Sequence, residues 1–337
     1  MKALVYTGPE AQSYRDVPNP VPAAGEVLIR VSHVGICGSD MHAFLGHDER
    51  RPAPLILGHE VAGTILTGDA AGQRVTVNPL VTCGTCPACR AGRDNLCPDR
   101  QIISMPPREG GFAELLAMPE RNLVKVPGHV TDAQAALAEP LACGWHAVRL
   151  AKRALEIDPA EAEALVIGGG AIGVGAALSL RAQGIENIKV VEPNEERAEL
   201  LRATCGLNVL TPGALASAGL FDVVIDGVGY PGTRATASAS TRPGGVISHI
   251  GLGAAEGGLD IRRMTLQEIT FIGTYTYTDQ DFRDTAEAIF SGRLGSLDWV
   301  EIWPLSDGLS AFADLRAGRV AAPKILLKPD SSGDAHV

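Results

Sequence analysis

The sequence predicts an α/β protein in two parts, a β-rich barrel-like domain and a doubly wound parallel sheet. Three observations predict it. From Glu163 onward six short apolar runs alternate with helical stretches, the pattern of a parallel sheet covered by helices. The first 130 residues instead carry short alternating runs separated by Gly and Pro clusters, as strands joined by turns require. The chain has 337 residues, more than one hydrophobic core usually serves.

In chain order, Met1 to Tyr6 reads as a short strand, and Glu26–Val34 alternates apolar and polar residues (Val27, Ile29, Val31), the period of a half-buried strand. Similar runs fall at Glu60–Leu66, Arg74–Asn78, Phe112–Met118 and Asn122–Val126. Thr131–Arg153 turns Ala/Leu-rich and helical in period, with interruptions expected at Pro140 and Gly144, and Asp158 and Pro159 read as a linker. The six strands of the second part are expected at Ala164–Gly168, Ile188–Glu192, Leu207–Leu210, Asp222–Asp226, Gly245–Ile250 and Ile269–Thr274, with the clearest helices at Ile172–Gln183 and Asn194–Thr204. Six such strands make a complete dinucleotide-binding fold of the Rossmann type. Beyond Thr274, Asp281–Ser291 and Asp307–Arg316 read as helices, Lys324–Lys328 as a last strand and Ser331–Val337 as a disordered tail.

Composition excludes several classes. The formal net charge is −10 and no dense Lys/Arg patch is present, which disfavours nucleic acid and anionic lipid as partners. No apolar run approaches the roughly 18 residues that span a bilayer, and the start lacks the three regions of a signal peptide. The expectation is a cytoplasmic protein.

Four of the seven cysteines, Cys83, Cys86, Cys89 and Cys97, have the spacing C-x2-C-x2-C-x7-C. In a reducing compartment this reads as a closed tetrahedral zinc site, structural because no position is left for a substrate. Cys37, His59, Glu60 and Glu139 are each ambiguous alone. Together they supply the mixed sulfur, nitrogen and oxygen donors of a catalytic zinc site, which keeps one position open and lowers the pKa of a bound hydroxyl. Cys143 and Cys205 lack partners at ligand spacing and read as structural thiols, and Trp145 and His146 as packing residues.

Ala164–Gly173 is a strand followed by G-x-G-x-x-G and a helix. Gly168 permits the tight turn, Gly170 the approach of the pyrophosphate and Gly173 the packing of helix on strand, with Ile172 between them; the phosphates sit on the helix N-terminus. A second apolar strand ends at Glu192, 24 residues after Gly168, where an acid accepts ribose hydroxyls and repels a 2′-phosphate. NAD is therefore expected over NADP. Arg197 is the one nearby cation that counts the other way.

The segments GICGSDMH, LGHEVAG, the four-cysteine lobe, GGFAELL and AEPLA, in that order, resemble the zinc-dependent medium-chain alcohol and polyol dehydrogenases, nearest to the branch of sorbitol and threonine dehydrogenases. The resemblance runs over nearly the whole chain. It implies a GroES-like catalytic domain at 1–140 with a zinc lobe at about 80–100, a Rossmann domain at 141–275 and a return to the catalytic domain at 276–337. It implies zinc at two sites, with Cys37 and His59 as catalytic ligands and either Glu60 or Glu139 as the third. Asp40 would orient the ligating imidazole. Ser39 would take the alcohol proton and His42 would pass it outward through the cofactor ribose. Gly38, where the liver-type enzymes have Arg, fits the polyol branch, and Gly68–Gly72 replaces a longer loop. The reaction implied is hydride transfer from a secondary alcohol or polyol to NAD, giving a ketone and NADH, by a homodimer or homotetramer. Polar residues of Phe44–Arg51 (His47, Asp48, Glu49, Arg50) and residues near Tyr275–Tyr277 are expected to face the substrate. The alternatives are L-threonine 3-dehydrogenase-like oxidation of an amino alcohol and a non-catalytic zinc- and NAD-binding protein. A zinc-free quinone reductase is disfavoured by the cysteine lobe.

Overall fold

The computed structural model describes residues 1–330; the tail read as disordered, Ser331–Val337, lies outside them. An antiparallel hairpin comes first, β1 (Lys2–Gly8) and β2 (Ala11–Asp16). It is followed by β3 (Glu26–Gly35), α1 (Gly38–Phe44), β4 (Leu55–Ile56), β5 (Glu60–Ile65) and β6 (Arg74–Val77). The strands β7 (Leu80–Val81) and β8 (Gln101–Ile102) bracket the cysteine lobe, which contains the single turn α2 (Pro87–Arg90). β9 (Leu115–Pro119), β10 (Leu123–Lys125) and α3 (Asp132–Ala136) complete this stretch. Next come α4 (Ala138–Ala154), β11 (Glu163–Ile167), α5 (Ala171–Ala182), β12 (Asn187–Val191), α6 (Glu195–Cys205), β13 (Asn208–Leu210) and α7 (Pro212–Leu215). They lead to β14 (Phe221–Asp226), α8 (Pro231–Ser240), β15 (Thr241–His249), α9 (Ile261–Leu266), β16 (Thr270–Gly273) and α10 (Asp279–Phe290). The last elements are β17 (Val300–Pro304), α11 (Gly308–Arg316) and β18 (Lys324–Lys328).

Contacts divide the chain into two units: Met1–Glu139 with Val300–Val320 and the chain from Lys324, and Pro140–Trp299 with Ala321–Pro323. The main sheet of the first unit runs β10-β6-β5-β3-β18-β17, with β9 also on β3. Its register sets Gly35 opposite both Glu60 and Leu326, so three distant segments meet at one point. In the second unit the parallel order is β13-β12-β11-β14-β15-β16, the order of a doubly wound sheet. Ala164 to Val166 are wholly buried, which is why β11 reads as an unbroken apolar run rather than an alternating one.

Three expectations need correction. α4 is not interrupted at Pro140 or Gly144. Pro140 lies in the first turn, where no backbone N–H has a partner to lose. Gly144 is there because a Cβ would stand 2.5 Å from the Ala176 nitrogen of α5; the helices pack through it. Second, the chain returns to the first unit at Val300 and not at residue 276. α10 stays in the second unit because buried Asp281 accepts from His146 Nδ1 at 2.7 Å and from Arg149 Nε and Nη2 at 2.5 and 2.8 Å, both on α4. Third, Tyr277 is wholly buried against Phe282, with ring centroids 5.7 Å apart, so it packs the core and faces no substrate.

Burial alone would push the Asp281 carboxyl up, but His146, Arg149 and Thr278 outweigh it and hold it below the usual range. A depressed carboxyl stabilises the fold above its unfolded value, about 3.9, and its contribution drains away as pH falls through the folded value. Asp281→Asn is expected to cost about 3 kcal/mol at neutral pH, since it leaves the half-buried Arg149 guanidinium without its counter-charge and removes acceptors from His146 and Thr278. It should also flatten the acid limb of the stability curve. Urea unfolding at neutral and acid pH measures both effects; equal stability of variant and wild type at neutral pH would remove the tie from the fold's supports.

Candidate metal and dinucleotide sites

In the first unit, the turn from β3 into α1 presents Cys37, and the entry to β5 presents His59 and Glu60. One donor atom from each lies within 4.8 Å of the others. The fit to a metal is testable on Glu60. Its carboxylate is fully buried; one oxygen accepts from Lys324 Nζ at 2.6 Å, and the other, Oε2, has no partner. A buried carboxylate oxygen without a partner beside a thiol and an imidazole fits a zinc ligand set. Gly35 makes the room: a Cβ there would stand 1.8 Å from Glu60 Oε2. Glu139, also buried, is not in this group of three; it lies at the start of α4, and its charge acts on Lys324.

Asp40 holds the site in register. Its Oδ2 accepts from the Cys37 amide at 3.0 Å, and its Oδ1 accepts from the Gly58 amide at 3.2 Å and lies 3.4 Å from His59 Nδ1. Burial would raise the Asp40 carboxyl, but the His59 and Arg51 charges overcome it and lower it. Burial would likewise strip the His59 proton, but Asp40 and Cys37 raise its pKa well above the ordinary value. For Lys324, desolvation is outweighed by Glu60, Cys37 and Glu139, so the ammonium is held charged. Ser39 and His42 sit one turn apart on α1, the first half-buried and the second exposed.

Sequence reasoning missed three residues here. In the sequence Lys324 shows only as the start of a strand. Arg51, taken as the end of a polar loop, is 3% exposed and reaches Ser39, Asp48 and Ser104, whereas Arg50 is exposed and pairs with Asp48. Ser104 carried no motif.

Cys83, Cys86, Cys89 and Cys97 also converge. Sulfur separations of 3.9 Å (Cys83–Cys89) and 3.5 Å (Cys83–Cys97) match the roughly 3.8 Å edge of a tetrahedron with Zn–S near 2.3 Å. Backbone amides of Thr85 and Cys86 hold the Cys83 thiol down to about 6, while burial and the neighbouring sulfur of Cys86 push Cys89 up to about 12.

In the second unit, Gly168 has φ 98°, and a Cβ on Gly173 would stand 1.8 Å from the Gly168 carbonyl oxygen. Gly170 caps the start of α5 without a side-chain hydrogen bond and with open space beside it, which leaves the first turn of the helix open to an anion; Ile172 lies half-buried in that turn. Glu192 is 4% exposed and accepts from the amides of Gly169 and Asn194, both at 2.8 Å. Arg197 donates to the Ala321 carbonyl at 3.0 Å and lies 3.9 Å from Glu192. At the end of β14, Asp226 accepts from the amides of Val228 and Gly229 and lies 3.2 Å from His249. These residues fit a dinucleotide held at the carboxyl ends of the central strands.

The family model described as alcohol dehydrogenase GroES-like domain matches residues 23–128, and that described as zinc-binding dehydrogenase matches 171–291. The L-galactonate-5-dehydrogenase of Escherichia coli (strain K12) is 32% identical over 309 residues, covering 87% of this chain and 88% of that protein. The sorbitol dehydrogenase of Bacillus subtilis (strain 168) is 34% identical over 298 residues, 83% of each. This chain belongs to the zinc-dependent medium-chain alcohol and polyol dehydrogenase family. A solved structure, L-idonate 5-dehydrogenase from Escherichia coli K-12, superimposes with a TM-score of 0.85 at 25% identity over 97% of both chains. The dehydrogenase is thus a zinc- and NAD-dependent oxidoreductase acting on a small alcohol, and no helix among its described residues is long and apolar enough to cross a membrane.

Metal analysis of the purified dehydrogenase should give about two zinc ions per chain, one per site. Cys37→Ala is expected to retain about one, because it opens the three-donor group and leaves the four-sulfur lobe complete. An unchanged zinc content would separate Cys37 from the metal.

Proposed function

We propose that this dehydrogenase oxidises a polyhydroxylated secondary alcohol, a sugar alcohol or sugar acid, to the ketone. The observation that carries the reading is the group of half-buried Cys37 with buried His59 and Glu60, one Glu60 carboxylate oxygen being unpartnered. The relatives named for sorbitol, L-galactonate and L-idonate support the substrate class.

Zinc held there supplies a Lewis acid that lowers the pKa of the substrate hydroxyl, and NAD supplies the hydride acceptor. Cys37 and His59 would be its ligands, with Glu60 the third at rest and Glu139 the second carboxylate. Lys324 binds the remaining Glu60 oxygen and so fixes which oxygen the metal can take. Asp40 keeps the His59 ring oriented. Ser39 Oγ takes the alcohol proton, and the exposed imidazole of His42, on the same face of α1, passes it outward. Gly168, Gly170, Ile172 and Gly173 would receive the pyrophosphate, and Glu192 the ribose hydroxyls. The Glu192 carboxylate repels a 2′-phosphate; Arg197 is engaged with the Ala321 carbonyl, which leaves the preference with NAD.

The four-thiolate lobe supports a reducing compartment, the cytoplasm. A homodimer or homotetramer through the nucleotide-binding unit is part of the same reading. β16 ends its sheet, and Leu252, Ile261 and Leu266 in that unit are 76%, 62% and 66% exposed, an apolar surface that a second copy would cover.

NADH formation on a panel of sugar alcohols, sugar acids, simple secondary alcohols and L-threonine tests the substrate class. Turnover is expected on the hydroxylated substrates, with NAD favoured over NADP by at least about tenfold in kcat/KM. Turnover on L-threonine alone would replace the polyol reading, and no turnover on any substrate by zinc-loaded protein would leave a binding protein. Light scattering after size exclusion should give a mass of two or four chains; a monomer at micromolar concentration would overturn the assembly.

A further inference from the structure

Ser104 combines three properties that seldom meet. It is wholly buried, it has φ +66°, a left-handed backbone that a residue with a Cβ adopts at a cost, and its hydroxyl oxygen lies 3.4 Å from His59 Nδ1. Left-handed, buried positions are where glycine is favoured. Strain of this kind persists where surrounding structure enforces it, and it concentrates at functional sites.

The enforcing group is Arg51. Its Nε donates to the Ser104 carbonyl at 2.9 Å, its Nη1 donates to the Ser39 carbonyl at 3.2 Å and to Asp48 Oδ2 at 2.7 Å, and its Nη2 lies 3.5 Å from Ser39 Oγ. The planar fork can satisfy acceptors from three segments at once. Asp48 balances the buried charge at short range.

We propose that Ser104, braced by Arg51, is a positioning residue for the imidazole of His59. This rests on His59 being a zinc ligand, as in the function proposed above. Nδ1 has Asp40 Oδ1 and Ser104 Oγ as neighbours, each at 3.4 Å, so Nε2 would be the nitrogen that holds the metal and Nδ1 would carry the proton. Asp40 is also committed to the amides of Cys37 and Gly58, so it sets the distance of the ring. Ser104 approaches from another segment and stops rotation of the ring about its bond to the chain. Partners of this kind tune metal affinity without touching the metal.

Ser104→Ala removes the hydroxyl and keeps the backbone strain; Ser104→Gly removes both. The full-length protein, freed of metal and reloaded with Co²⁺, would be titrated with a chelator while the visible ligand-field bands are followed; Cys37→Ala shows which bands belong to the His59 site. Both Ser104 variants are expected to release Co²⁺ from that site about tenfold more readily with shifted bands, and to leave the four-sulfur site unchanged. Ser104→Gly should melt at or above the wild-type temperature despite weaker metal binding, a combination that a packing role alone does not produce. Chelator midpoints and spectra unchanged in both variants would overturn the proposal. If wild type and His59→Ala bind equal Co²⁺ with the same bands, His59 lies at no metal site, and the function proposed above fails with it.

Discussion

The carboxylate of Glu60 is entirely out of water, and a buried carboxylate persists only where charge and hydrogen bonds replace its hydration. Lys324 supplies the charge at 2.6 Å and is itself anchored on the Ile36 carbonyl at 2.8 Å. The first unit is arranged around this pair. β3 runs between β5 and β18, Gly35 stands opposite Glu60 and Leu326, and the missing Cβ of Gly35 leaves the space the carboxylate fills. The grouping of the three donors follows from that register: once Glu60 is placed, His59 precedes it on the same strand entry, and Cys37 leaves β3 two residues after Gly35. The ion pair thus fixes sheet and site together.

The second unit uses the same physics at lower stakes. Glu192 and Asp226 end neighbouring regions of the parallel sheet; Glu192 accepts from Gly169 in the loop after β11 and from Asn194 just beyond it, and Asp226 accepts from Val228 and Gly229 in the loop that follows. An acid that accepts loop amides shapes the loop and leaves a defined negative edge. Asp281 does the equivalent at the start of α10, where it gathers His146, Arg149 and Thr278. In all three cases a carboxylate replaces a long stretch of packing as the organiser of irregular backbone.

What could be read in the sequence divides along chain distance. The four-cysteine lobe, the glycine turn with Glu192, and the six strands of the parallel sheet are local patterns, and the structure has them within a few residues of the expected bounds. Nothing local distinguishes Glu60 from Glu139 in the sequence; in the structure Glu60 lies with Cys37 and His59 and pairs with Lys324 across 264 residues. Arg50 and Arg51 are adjacent, and only packing tells which is buried. β2 escaped notice because it is a largely exposed run with no apolar alternation, and α8 because its Ser and Thr residues favour turns over helix interiors. Pro140 and Gly144 were read as breaks by rules that hold in helix interiors; one lies in a first turn and the other at a helix crossing.

The separation of Lys324 from Glu60 also orders events in time. The cysteine lobe is complete within fifteen residues of chain, so a nascent polypeptide can close it around zinc long before synthesis ends. The Cys37–His59–Glu60 group has its donors equally early, yet the cation that neutralises Glu60 leaves the ribosome more than 260 residues later. Until β18 docks, Glu60 has no counter-charge and no reason to be buried. The lobe can therefore close from one short stretch of chain, whereas Glu60 gains its buried counter-charge only when β18 docks.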